Sequence, residues 1–143
     1  MSSIPRDGLD EAAIEEILRK RNVAVVGASR DLSKAAGFVP EFLLRNGYNI
    51  IPVNPFADTI LGRKCFKSLA DVTERIDLVD VFRPGPEAAK VVEDAAARGV
   101  HTVWLQEGIY SPEAAEKGKS LGVTLAWDRC MKKEYQRIHG VQL

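Results

Sequence analysis

"NVAVVGASRDLSK", Asn22 to Lys34, is the stretch on which the reading of the chain turns. Val23 to Val26 are apolar without a break, the pattern of a strand buried on both faces, as in a parallel sheet. Gly27 then permits a sharp turn, and the small Ala28 and Ser29 let backbone approach a ligand closely. N–H groups of such a loop, and of a helix beginning after it, can cradle an anion. Ser29 adds a hydroxyl, while Arg30 and Lys34 add positive charge. A plain strand-to-helix turn carrying surface charges is the alternative, and Gly-Ala-Ser alone does not decide between them.

Working outward, strand and helix patterns alternate. Upstream, "DEAAIEEILRKR" reads as a helix with Asp10 as N-cap and an apolar stripe of Ile14, Ile17 and Leu18. Downstream, "AAGFVPEFLLRNG" is a second helix whose regular part is expected to begin near Val39, because Pro40 fits best in a first turn. "YNIIPVNP" is a strand, "TILGRKCF" a short extended segment and "SLADV" a short helix or turn. "IDLVDVF", "VHTVWLQ" and "VTLAW" complete a set of five strands. "PGPEAAKVVEDAAARG", "SPEAAEKGKSLG" and "RCMKKEYQRIHG" are helices between and after them. This order predicts right-handed βαβ units and an α/β fold with a mostly parallel sheet. Residues 1–8 are expected as a flexible N-terminal segment of one domain spanning 1–143.

In such a sheet, ligands bind beyond the carboxyl ends of the strands. The loops to inspect therefore follow Gly27, Val53, Phe82 and Leu105. An ordinary NAD site is disfavoured: the first loop lacks G-x-G-x-x-G, and the second strand ends in Val53-Asn54-Pro55 instead of a carboxylate. A ligand richer in phosphate suits Arg30, Lys34, Arg63, Lys64 and Arg83, should they share a face. Phe82, Arg83 and Pro84 suit an extended, largely apolar ligand chain, or simply a rigid turn. Gln106, Glu107 and Gly108 bring polar side chains and a turn to the fourth strand end.

The bulk composition sets limits. Twenty basic residues balance twenty acidic ones, so no whole-molecule field gathers nucleic acid. No apolar run approaches about 18 residues, and Met1–Glu16 lacks an apolar signal core. The expectation is a cytoplasmic protein with no membrane or nucleic-acid partner. Cys65 and Cys130 form no metal-ligand or disulfide pattern, and buried, inert thiols are expected. His101 and His139 lie near no nucleophile motif. No catalytic constellation and no metal site are expected.

With these loops identified, the sequence resembles the stand-alone CoA-binding domain proteins, a family related to the N-terminal domain of the succinyl-CoA synthetase alpha subunit. The resemblance rests on "VAVVGASRDLSKAAGFVPEFLLRNGYNIIPVNP", "LGRKCFKSLADV", "IDLVDVFRPGPEAAKVVEDAAARGVHTVWLQEGI" and "DRCM". It implies a Rossmann-like three-layer domain that binds coenzyme A. It further implies that Gly27, Ala28, Ser29 and Arg30, extended by Ser33 and Lys34, wrap the CoA phosphates. Val53, Asn54 and Pro55 would lie by the adenosine, and Phe82, Arg83 and Pro84 along the pantetheine. Lys64 is the counterpart of a family lysine near the phosphates, and Gln106, Glu107 and Gly108 would reach the thiol end. The synthetase's phosphorylated histidine belongs to a second domain that has no counterpart here. A non-catalytic CoA or acyl-CoA binding module is therefore expected. The other readings are a separate synthetase subunit active only with partner chains, an NADP-binding redox protein, or a scaffold with a vestigial pocket. A homodimer and a partner subunit both stay open.

Overall fold

A computed structural model describes residues 3–140. Five parallel strands form the sheet: β1 (Asn22–Val26), β2 (Asn49–Val53), β5 (Leu78–Val81), β6 (Thr102–Leu105) and β7 (Thr124–Ala126). A separate antiparallel pair comprises β3 (Thr59–Ile60) and β4 (Arg63–Lys64). The helices are α1 (Glu11–Leu18), α2 (Ala35–Arg45), α3 (Gly85–Ala97), α4 (Pro112–Leu121) and α5 (Met131–His139). The sheet order is β2-β1-β5-β6-β7. The chain runs outward from β1 to β2, then returns past β1 to build the other half. The reversal puts the switch point between β1 and β5, where a crevice must open beyond their carboxyl ends.

The sheet is buried on both sides, as the unbroken apolar strands predict. Val23, Val25, Leu78 and Trp104 pack with Ile14, Val39, Phe42 and Met131, so α1, α2 and α5 form one outer layer. Ala24, Val79, Val81 and Val103 pack with Ala88, Val92, Ala95 and Ala114, so α3 and α4 form the other. The result is the expected three-layer Rossmann-like fold. Asp10 caps α1 as expected, its carboxylate accepting from the Ala13 N–H at 2.9 Å.

Two local expectations are corrected. First, α2 begins at Ala35, which places Pro40 at its sixth position instead of in its first turn. A proline there leaves the carbonyl four residues back, that of Ala36, without its helical donor. The Ser29 N–H supplies it at 3.0 Å. The loop after β1 thus replaces the bond that Pro40 cannot make. Second, "TILGRKCF" folds as the β3–β4 hairpin. Its two turn residues, Leu61 and Gly62, have φ of 56° and 70°, the left-handed pair that a two-residue type I′ turn demands.

Part of the N-terminal segment makes contacts with the body of the fold. Met1 and Ser2 lie outside the described residues, but Pro5 and Asp7 are tied to the junction between β7 and α5. The Pro5 carbonyl accepts from Trp127 Nε1 at 2.6 Å. The Asp7 side chain is 1% exposed and receives Arg129 Nε at 2.7 Å. It also accepts from the backbone of Leu9 and Trp127. Burial pushes the Asp7 carboxyl up, but the hydrogen bonds from Arg129, Leu9 and Trp127 outweigh it and hold the group below the usual carboxylate range. Such a group stabilises the fold above its unfolded pKa and loses that contribution as pH falls through the folded value. Asp7→Asn is expected to cost about 1–2 kcal/mol at pH 7, within the range for a hydrogen-bonded charge. The loss should shrink below a pH of about 4; urea unfolding at several pH values measures it.

Candidate functional site

The loop after β1 is closed by its own backbone as much as by any ligand. The Gly27 N–H extends the sheet by donating to Val53 O at 2.9 Å. Ser29 Oγ accepts from the Asp31 N–H at 3.0 Å, and Asp31 Oδ1 accepts from both the N–H and the hydroxyl of Ser33. Those Ser33 bonds, with Lys34 nearby, hold the Asp31 carboxyl below its ordinary value. The Ser33 donors and the Ser29 N–H are therefore already engaged. The N–H groups of Ala28 and Arg30 have no acceptor among the described residues, and Lys34 leaves the α2 N-terminus without a side-chain cap. These donors and the exposed Arg30 side chain are what the loop can offer an anion.

Two glycines set the closeness of this arrangement. Gly27 has φ +87°, and a Cβ there would lie 2.9 Å from Arg83 Cδ. Gly37, inside α2, lies so near the loop that a Cβ would come within 2.2 Å of Asp31 O. The glycine that permits close packing of helix on loop is thus present, ten residues after Gly27, where no fixed spacing points to it.

Beyond the ends of β1, β2 and β5 opens a crevice of about 630 Å³. Gly27, Val53, Asn54, Pro55 and Arg83 line it, as do Phe56, Lys67 and Lys90. Asn54 organises the floor. Its Nδ2 donates to Ala28 O at 2.9 Å, while its Oδ1 accepts from the Phe56 N–H at 2.7 Å. This turn leaves Phe56 89% exposed at the mouth, an aromatic face available for stacking. Arg83 pairs with Glu87 through two bonds, of 3.1 and 2.9 Å. The Glu87 pairing raises the Arg83 pKa further.

Phe82 and Arg83 diverge. Arg83 faces the crevice above α3, whereas Phe82 faces a second cavity of about 430 Å³ on the opposite side of the sheet. This second chamber lies between the N-terminal ends of α2 and α5, and Gln106, Glu107 and Cys130 also line it. The switch point therefore opens on both faces, with the crest of Gly27 and Phe82 between them.

The expected site residues sort accordingly. Gly27, Val53, Asn54, Pro55 and Arg83 meet at the crevice, and Phe82, Gln106 and Glu107 at the chamber. Ala28, Ser29, Arg30, Ser33 and Lys34 form the loop beside them without lining either cavity. Pro84 caps α3 from outside, and the Gly108 N–H is held by Asp128 at 2.7 Å. Lys64 does not reach the crevice: the β3–β4 turn aims its ammonium at the Phe66 ring, 5.1 Å from the centroid. Lys67, one alternation beyond the hairpin, lines the crevice instead. Phe56, Lys67 and Lys90 were not legible beforehand; the only hint was an aromatic residue directly after Asn54-Pro55. Cys65 is buried, and that burial pushes its thiol up. Among the described residues there is no metal-binding cluster of His, Cys, Asp and Glu. No helix there is long and apolar enough to cross a membrane.

Residues 21–136 match the CoA binding domain family, and the chain belongs to it. Protein YneT of Bacillus subtilis (strain 168) is 37% identical over 123 residues, covering 85% of this chain and 91% of that protein. A solved protein from Pyrococcus horikoshii OT3 superposes with a TM-score of 0.91 at 38% identity, over 98% of this chain and 99% of its own. The ADP-forming acetate–CoA ligase II of Archaeoglobus fulgidus is 32% identical over 107 residues. That alignment covers 73% of this chain but only 16% of the ligase. The chain is thus similar to small proteins along their whole length and to one part of a much larger synthetase.

Proposed function

We propose that this protein binds coenzyme A or its acyl thioesters through the switch-point crevice and has no catalytic step of its own. One observation carries the reading: a chain of the CoA binding domain family has, beyond β1, β2 and β5, a crevice rimmed by Arg83, Lys67 and Lys90 with Phe56 exposed at its mouth. CoA presents phosphates for the cations and loop N–H groups, and a purine for the aromatic face. Arg83 would exchange its Glu87 partner for phosphate, a swap that keeps a charge-assisted bond throughout.

Titration with CoA tests this directly. At about 100 times the dissociation constant, a ligand of the native state alone adds about 2.7 kcal/mol and raises the melting temperature. The absence of both binding heat and a melting shift at millimolar CoA would refute the reading. Arg83→Gln is expected to weaken CoA about tenfold, the loss of one bond to a charged group. Calorimetry with CoA and dephospho-CoA measures it, with NADP and NAD as competitors.

A separate subunit of an acyl-CoA synthetase is the second reading, favoured by the match to one part of the acetate–CoA ligase. Co-purification with an ATP-grasp chain, and acyl-CoA formation by the pair, would establish it.

A further inference from the structure

The sheet has two edges, β2 and β7, and they are guarded by different means. At β2, Val53 O accepts from Gly27 on the β1 side, so Pro52 faces outward, and a proline has no N–H to offer an added strand. Phe66 covers that edge further. Its N–H donates to Pro52 O at 3.0 Å and its carbonyl accepts from the Asn54 N–H at 2.9 Å. At β7 the register turns the N–H and C=O of Thr124 and Ala126 toward β6. Those of Leu125, between them, face outward, and neither has a partner among the described residues. The next outward donor is the Trp127 N–H, and Asp7 Oδ2 accepts it at 3.1 Å.

Asp7 reaches this edge on an N-terminal strap, residues 3–9. Two guanidinium nitrogens of Arg129 hold its carboxylate at 2.7 and 2.8 Å. The Pro5 carbonyl accepts from the Trp127 indole in turn. The strap therefore lies beside Trp127, in the lane that a further strand would take. A carboxylate ends the ladder there, because it accepts the outward N–H and has none of its own to pass on.

We infer that the strap is an edge guard: Pro5 and Asp7 occupy the lane beside β7 and keep a second copy of the chain from adding to the sheet. With the strap lifted, two copies pair antiparallel about Leu125. The Leu125 N–H and C=O of each copy bond those of the other. Each Trp127 N–H, released by Asp7, reaches Val123 O of the second copy, an oxygen without a partner among the described residues. The occupant is a second copy because this edge is its own complement: the central residue of such a pair meets itself, and both its groups are free. With the strap seated, the Trp127 N–H is taken and the lane is filled, so the parent stays monomeric. The inference is independent of what the crevice binds.

Hydrogen exchange on the full-length parent reads the edge directly. The Leu125 amide should exchange at least about a hundredfold faster than those of Ala126 and Trp127. Sedimentation of Asp7→Ala should give a dimer whose dissociation constant lies at least about tenfold below the parent's. Adding Thr124→Lys, at an exposed position of the same edge, should return that protein to monomer. Should Asp7→Ala fail to fold, Arg129→Lys, which loosens the same carboxylate, takes its place in both measurements. A Leu125 amide as protected as Ala126 in the parent overturns the inference. So does a folded strap variant that stays monomeric at millimolar concentration, or a dimer that survives Thr124→Lys.

Discussion

Asp80→Asn is expected to match the parent's stability near pH 4 and to exceed it increasingly above that, by about 1.4 kcal/mol for each pH unit until the folded-state pKa of Asp80 is passed, where the difference levels off. Asp80 occupies the middle of β5, beside Val25 on β1 and Trp104 on β6. Along β5, Val79 and Val81 face α3 and α4, so Asp80 shares the other face with Leu78. It is 0% exposed, and neither carboxylate oxygen has a partner among the described residues. Burial pushes the carboxyl well above the usual carboxylate range. The Val81 N–H lies near enough to oppose this but makes no hydrogen bond to the group, so burial prevails.

The sign follows from proton counting. Between the unfolded and folded pKa values the native state keeps the Asp80 proton and the unfolded chain releases it, so rising pH favours unfolding. Below both values the two states bind equally and the penalty vanishes. Asparagine has nearly the same shape and no charge, so the variant lacks this slope. Asp7, Asp77 and Glu134, whose carboxyls are held low, produce the opposite trend at acid pH. They are common to both proteins and cancel in the difference. Urea unfolding from pH 4 to 9 measures it; a parent-to-variant difference that stays constant across that range would show that Asp80 finds a partner after all.

The sheet was legible because strands buried on both faces need no polar alternation, and because Asp10, Ser111 and Pro112 mark helix starts by local chemistry. What escaped prediction depends on partners distant in sequence. Pro40 reads as a first-turn residue until the Ser29 N–H is known to satisfy Ala36 O. Nothing in the sequence near Asp7 marks its partner, because Arg129, 122 positions away, supplies the counter-charge. At the site, topology alone picked the strand ends beyond which the crevice opens, since a switch point leaves a gap there. It could not place Lys64 and Lys67, because a two-residue hairpin decides which of two nearby lysines turns inward. Nor could it separate Phe82 from Arg83: adjacent residues leaving a strand point to opposite faces, and here those faces hold different cavities.

Gly37→Ala is expected to destabilise the protein by about 3 kcal/mol or more, at the upper end of what overpacking costs. The direction is the opposite of the helical rule, under which alanine gains about 1 kcal/mol over glycine in a helix interior. Gly37 lies in the first turn of α2 with ordinary helical backbone, so conformational freedom gives no reason for glycine there. Space does. A Cβ would meet Asp31 O at 2.2 Å, Asp31 C at 2.8 Å and Leu32 Cα at 3.1 Å. All three are backbone atoms, so no side chain can swing aside. Either α2 moves off the sheet, where Val39 and Leu43 are fully buried, or the loop lifts from the helix. Lifting the loop breaks the Ser29 bond to Ala36 O, exposing the carbonyl that Pro40 cannot serve. It also displaces the Ala28 and Arg30 N–H groups from the crevice edge. The variant should therefore lose CoA affinity along with stability, while Arg83→Gln loses affinity alone. Denaturant unfolding and calorimetry on the two proteins separate these outcomes, and a Gly37→Ala protein as stable as the parent would mean the loop has a second, equally good seat on α2.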